Sequence, residues 1–468
     1  MRSVTIRSRG ASLLSVAAAL AITVTTLGAP AAAAEPFDQP GQFYDTQGLP
    51  EAPAGHIFRS APAPLPLTAG VPGLPPLQSP LPATAERMIY QTADINGAPI
   101  ATSGALYEST APWDGPGPRP TVVIGPGTQG QADECAPSRN IETGVGTNPR
   151  TGVPMPSYEE GFALVLASRG FRVMVPDYIG LGTPGIHTYG VRSETAHAML
   201  DGARAAVARS AEPSTPVLLW GHSQGGGASA AAVELAGEYA PELDIRAAYA
   251  SAPPADLLAV LDHIDGTQLF GAIGFAINGM ADRYPELQGV IDRNVTDAGR
   301  HALKDMSTMC LLDIRMQYGG NHTSQWTNTG QPLGTLIRNE PDALRVMEEQ
   351  RIGKRVPAVP VMLAGGITDD TIPVGQVEEL GRNWCEQGAT VHFHHDPTPK
   401  IGTLNHVAAA VANFEPGVQF LMDRLAGVPA PNDCGSFYEL HTGRTTRPAV
   451  PTPAFRSLPV RAGRRALS

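Results

Sequence analysis

A serine set between glycines, Gly221-His222-Ser223-Gln224-Gly225, offers the first reactive side chain of this 468-residue sequence. A serine hydroxyl attacks a carbonyl only when a base takes its proton, and the base in turn needs an acid to hold its tautomer. With the chain order Ser, acid, His, both partners should lie downstream in strand-end loops. The stretch Gly365-Gly366-Ile367-Thr368-Asp369-Asp370-Thr371-Ile372-Pro373 supplies the acid: Asp369 is the candidate orienter and Asp370 its rival. Asp256, beyond a β-prone run ending near Ala250, is a third candidate. The base is His406, in Gly402-Thr403-Leu404-Asn405-His406, at the opening of a helix of small residues. His222 reads as structural, because its ring cannot turn onto the neighbouring Oγ, and His392, His394 and His395 read as ordinary strand residues. An oxyanion formed at Ser223 would need backbone N–H donors, one from Gln224 and one from Gly125-Pro126-Gly127-Thr128-Gln129-Gly130, where Thr128 and Gln129 are the candidates. That loop lacks the following lysine of a phosphate cradle. The chemistry such a set would perform is two-step acyl transfer through an ester on Ser223.

These groups must be brought together by elements with a compatible order. Pro216 to Trp220 is a short apolar run suited to a buried strand, and Gly225 to Leu235 reads as a helix whose first turn is nearly free of side chains. A strand-to-helix turn of this kind exposes the serine and needs glycines where backbones approach. Upstream, Met88 to Tyr107 holds two β-prone runs around Asn96-Gly97, a hairpin signal. Strands are expected at 121–124, 171–175, 245–250, 359–363 and 390–394, and helices at 158–168 and 193–209. Alternation of this sort implies an α/β fold with a mostly parallel sheet covered on both faces, in the outline of an α/β-hydrolase. It lapses between 255 and 355, which reads as an inserted, mainly helical cap or lid domain. There the apolar run Leu269 to Ile277 fits either a lid face that meets lipid or a helix packing the cap onto the core. The expected organisation is a hydrolase core at 83–254 and 356–441, a Pro/Ala/Gly-rich arm at 35–82 and a loosely held tail at 442–468.

Residues 1–34 combine Arg2, Arg7 and Arg9 with an apolar run from Leu13 to Leu27 and four alanines before Glu35, the pattern of a secretory signal peptide cut after Ala34. The run is shorter than the roughly 20 residues a bilayer requires, and no other stretch is long enough to span one. Removing three arginines from 33 Lys+Arg leaves 30 against 44 Asp+Glu, a net charge of −14. Such a surface argues against nucleic acid and against electrostatic docking to anionic lipid. In an exported protein the four cysteines, Cys135, Cys310, Cys385 and Cys434, favour two disulfides, with three pairings open. Oligomeric state is not written in the sequence.

Taken in order, Gly125 to Gly130, Cys135-Ala136-Pro137-Ser138, Asp177-Tyr178-Ile179-Gly180-Leu181-Gly182, Gly221 to Gly226, Tyr239-Ala240-Pro241-Glu242-Leu243, Asp369 to Pro373 and His406 resemble the secretory lipase family of the Candida antarctica lipase A type, from about Gln42 to Tyr438. The resemblance implies that Ser223, Asp369 and His406 form the catalytic triad, that the second oxyanion donor falls on or beside Gln129, and that Cys135 pairs with Cys310 and Cys385 with Cys434. It further implies a helical cap over an acyl tunnel, hydrolysis of triacylglycerols and simpler carboxylic esters, and no metal or organic cofactor. The elbow departs from the Gly-Tyr-Ser-Gly-Gly of that yeast lipase, a change that bears on pocket shape. A triacylglycerol lipase or carboxylesterase is the expected activity, with an extracellular acyltransferase or a serine peptidase as the alternatives on the same fold.

Overall fold

The computed structural model describes residues 40–437, apart from 67–70, 72, 75, 76, 78, 212 and 213. The expected signal peptide and C-terminal tail lie outside the described residues. A short helix α1 (Pro40–Tyr44) and a strand β1 (Ile57–Ala63) come first. The stretch expected as an irregular arm therefore contributes an edge strand, where Pro62 is tolerated because one side of the strand needs no hydrogen-bond partner. The Asn96-Gly97 turn then joins β2 (Ala83–Ala93) to β3 (Pro99–Ser109) in antiparallel register, with Gly97 at φ +77°.

The core continues through β4 (Thr121–Gly125), a small ribbon of β5 (Val145–Thr147) and β6 (Pro154–Pro156), α2 (Tyr158–Ser168), β7 (Arg172–Pro176), α3 (Arg192–Ala208), β8 (Val217–His222), α4 (Gln224–Tyr239) and β9 (Ile245–Ser251). Seven helices follow without an intervening strand: α5 (Leu257–Ile264), α6 (Gly271–Arg283), α7 (Glu286–Asn294), α8 (Asp297–Met306), α9 (Leu311–Tyr318), α10 (Leu333–Asn339) and α11 (Pro341–Glu349). The chain then returns as β10 (Val361–Gly365), α12 (Val374–Glu386), β11 (Val391–His395), α13 (Asn405–Ala412) and α14 (Phe414–Leu425).

Nine strands form one sheet in the order β1-β2-β3-β7-β4-β8-β9-β10-β11. From β7 to β11 every neighbouring pair is parallel, while β1, β2 and β3 join antiparallel at one edge. The central strands are apolar along their whole length because both faces are covered, and every residue of β4, β7 and β10 is buried. Helices α3, α4 and α12 share one apolar core with one face, and α2 and α14 share another with the opposite face. Alanines 228, 230, 231 and 232 let α4 lie close to the strands beneath it.

The run from Leu269 to Ile277 opens α6 and faces inward: Phe275 is buried and Ile273 and Ile277 line an internal cavity. Disulfides join Cys135 to Cys310 and Cys385 to Cys434. Among the described residues no helix is long and apolar enough to cross a membrane.

Candidate active site

Ser223 occupies the single residue between β8 and α4, at φ +60° and ψ −126°. Its N–H donates to the Ser251 carbonyl at 3.0 Å, tying the turn to β9. The flanking glycines are sterically required. A Cβ on Gly221 would run into the carbonyl of Gly225, and one on Gly225 would run into the carbonyl of Gly125, so the elbow and the end of β4 pack backbone to backbone.

The loop after β10 presents Asp369 and the first turn of α13, which follows β11, presents His406, and the two meet at the elbow. His406 Nδ1 lies 2.9 Å from Asp369 Oδ2, and His406 Nε2 lies 2.8 Å from Ser223 Oγ. With Nδ1 donating to the carboxylate, Nε2 is left as the acceptor of the serine proton. Burial pushes the Asp369 carboxyl up, but the His406 imidazole and the N–H groups of Ile372 and Thr371 outweigh it and hold the group below its ordinary value. Asp370 does different work. Its Oδ1 accepts the backbone N–H of His406 at 2.8 Å, which ties down the first turn of α13. Asp256 is elsewhere: it caps α5 through the N–H groups of Leu258 and Ala259 and pairs with Arg351 at 2.8 Å.

His222 packs its ring 4.6 Å from that of His406 and bonds through Nδ1 to Ser251 Oγ at 2.9 Å. Burial and the neighbouring imidazole lower its pKa to about 3, so it stays neutral beside the base. At the far edge of the sheet, His392 bonds to Asp433 at 2.7 Å.

Gln224 opens α4, whose first amides and partial positive charge face the elbow. Across the elbow, Thr128 lines the cavity with its Oγ1 held by Tyr189 Oη at 2.7 Å, and its backbone N–H meets no acceptor among the described residues. Gln129 is 2% exposed and lies off the cavity wall, with its carbonyl accepting from Leu311 N–H at 2.8 Å. Two buried groups here carry no sequence signal. His187 bonds to Ile179 O and to the Gln224 side chain at 3.1 Å each, and burial lowers its pKa to about 4. Glu159 bonds to the Gln129 side chain at 2.6 Å. A glutamate in the first turn of a helix reads as a dipole partner, and only the tertiary fold shows that it is buried.

A cavity of about 580 Å³ extends from Ser223 and His406 into the helices between β9 and β10. Its wall there is apolar, with Leu261, Ile273 and Ile337 among the side chains that face it. The arrangement can activate a hydroxyl, receive an oxyanion and hold a long hydrocarbon.

A family model described as secretory lipase matches residues 156–433. A probable inactive lipase of Mycobacterium tuberculosis is 28% identical over 426 residues, covering 89% of this chain and 87% of that protein. A secreted triacylglycerol lipase of Malassezia globosa is 26% identical over 321 residues, or 67% of each chain. Among solved structures, Candida antarctica lipase A in its closed state superposes with a TM-score of 0.70 at 20% identity, covering 87% of this chain and 90% of that one. The rice cell wall degrading esterase LipA from Xanthomonas oryzae gives 0.63 at 18% identity, covering 78% and 97%. At these identities the two structures speak to the α/β-hydrolase fold alone.

Proposed function

Because this chain belongs to the secretory lipase family, we propose that it is a secreted carboxylic-ester hydrolase, a triacylglycerol lipase or carboxylesterase, that cleaves acylglycerols or related lipid esters through an acyl-enzyme on Ser223. The observation that carries this reading is the continuous hydrogen-bonded relay from Ser223 Oγ through the His406 ring to Asp369, at 2.8 and 2.9 Å. One relative is named as probably inactive, yet in this chain all three groups stand within bonding distance.

Ser223 Oγ attacks the ester carbonyl as its proton passes to His406 Nε2. The oxyanion is held by the backbone N–H groups of Gln224 and Thr128, with Thr128 favoured over Gln129 because it faces the cavity. Loss of one such donor typically costs about 10² to 10³ in rate. Collapse of the intermediate expels the alkoxide, which takes the proton back from His406. Water then attacks the acyl-serine with His406 again as base, releasing the acid and restoring Ser223. Asp369 remains ionised throughout and stabilises the imidazolium.

Residues 255–355 serve as the cap and their apolar walls receive the acyl chain, while 83–254 and 356–441 form the hydrolase core. Two disulfides and the composition of residues 1–34 support export. The test is a series of p-nitrophenyl esters and triacylglycerols of increasing acyl length, given to the wild type and to Ser223→Ala. Hydrolysis that falls by at least about 10³-fold in the variant is expected. Turnover that survives in the variant, or a wild type that cleaves aminoacyl amides and no ester, would overturn the reading.

A further inference from the structure

Among the described residues that line the cavity, Glu159 is the sole carboxylic acid. It sits in the first turn of α2, 3% exposed, and its two oxygens reach back to the loop that follows β4. Oε1 accepts the Gly127 N–H and Oε2 accepts from Gln129 Nε2, both at 2.6 Å. The adjacent Tyr158 Oη donates to the Thr128 carbonyl at 3.1 Å. The backbone on both sides of the Thr128 amide is thus held from one helix turn. The fit is close: a Cβ on Gly127 would lie 2.7 Å from Tyr158 Oη and would displace that hydroxyl from the Thr128 carbonyl.

Building on the acyl-enzyme reading above, we propose that Glu159 is the positioning residue of the oxyanion loop: it aims the Thr128 amide at the ester oxygen, and it does so as a neutral acid whose ionisation disarms the loop. No guanidinium or ammonium pairs with Glu159 among the described residues. Of the cations in the cavity wall, Arg192 is engaged by Glu234, and Arg315 forms no ion pair among the described residues. The titratable groups grouped around it are the phenols of Tyr107, Tyr158 and Tyr178, each pushed up by burial and therefore neutral; Tyr189, likewise pushed up, bonds to Thr128, and His222 and His406 lie in the same cavity wall. Glu160, its neighbour on α2, is buried without a hydrogen-bond partner and is likewise pushed up by burial.

Burial raises the Glu159 carboxyl to about 8 against the opposing pull of the Gly127 and Gln129 donors. In the neutral form one oxygen still accepts from Gly127, and the other donates to Gln129 once its amide is turned about. Above that pH a buried anion would stand beside the site where the oxyanion develops, and like charges in a low-dielectric wall oppose one another.

The test is the pH dependence of p-nitrophenyl butyrate hydrolysis from pH 6 to pH 10 by the wild type, Glu159→Gln and Glu159→Leu, with Ser223→Ala as the blank and the fold checked by circular dichroism. The wild-type kcat should fall by about fivefold or more through a midpoint near pH 8. Glu159→Gln should turn over at a reduced rate that no longer falls in that window. Glu159→Leu, which cannot hold the loop, should lose about 10²-fold in kcat with KM nearly unchanged. A wild-type rate that is Ser223-dependent yet flat from pH 7 to pH 9.5 would overturn the proposal without any variant, as would a Glu159→Gln enzyme with the wild-type alkaline fall. Absence of Ser223-dependent turnover at pH 7 would instead remove the acyl-enzyme reading, and the positioning role with it.

Discussion

Replacing Ser223 with glycine should give a protein that is more stable than the alanine variant, although both are inert. Ser223 is held at φ +60° and ψ −126°, a conformation that costs a residue bearing a Cβ about 1 to 3 kcal/mol. Both substitutions lose the 2.8 Å hydrogen bond to His406, worth about 0.5 to 1.5 kcal/mol net, so that loss cancels in the comparison. Alanine keeps the Cβ and with it the strain. Glycine sheds the strain but gives the unfolded chain more freedom, which takes back about 0.5 to 1 kcal/mol. The balance favours glycine by about 1 kcal/mol, within a range of about 0 to 2.5. Urea unfolding followed by tryptophan fluorescence reads it directly. With m of about 3 kcal/mol/M, the glycine midpoint should lie about 0.3 M higher. A glycine variant less stable than the alanine variant would refute the argument that the elbow stores strain.

The two adjacent acids should separate by function. Asp369→Asn should lower kcat by about 10⁴-fold through loss of the correct imidazole tautomer, whereas Asp370→Asn should remove about 1 kcal/mol of stability and less than about tenfold in kcat; equal kinetic losses would undo the assignment. The disulfide between Cys135 and Cys310 closes a separation of 175 residues and that between Cys385 and Cys434 one of 49. On chain-entropy grounds the paired serine variants should lose about 5 and about 4 kcal/mol, measured by denaturant titration. The first pair should also lower kcat, since α9 begins beside Cys310 and holds Gln129 through Leu311. Ile273→Trp, which fills part of the cavity, should cut kcat/KM for a long-chain ester well below that for a butyrate; a uniform drop across chain lengths would place the acyl chain elsewhere.

The hydrolase core is legible because its signals are local. Tyr158–Ser168 reads as a helix from its own sequence, the apolar run before Gly221 as a buried strand, and Asn96-Gly97 as a hairpin turn. The glycines of the elbow carry information about backbone contacts that lie far apart in sequence, because only a missing side chain lets β4 and α4 touch. Ser223, Asp369 and His406 stand out for a similar reason: each follows a strand, in the order this chemistry uses. Less legible are features set by tertiary packing. The edge strand β1 sits in a proline-rich stretch and owes its form to pairing with β2. The apolar run of α6 has no local mark of whether it faces lipid, core or cavity. Asp369 and Asp370 are chemically identical neighbours, and only the loop's path decides which reaches the imidazole. Glu159 and His187 look like ordinary polar residues until burial and their partners are known.

The central claim is that Ser223 is a nucleophile activated by His406. Its most direct test is the reaction of the native protein with a fluorophosphonate, followed by mass mapping of the adduct. A single adduct on the peptide containing Ser223, formed at a rate that collapses in His406→Ala, is the predicted result. An unlabelled Ser223 in folded protein, or an adduct that forms equally fast without His406, would contradict the account.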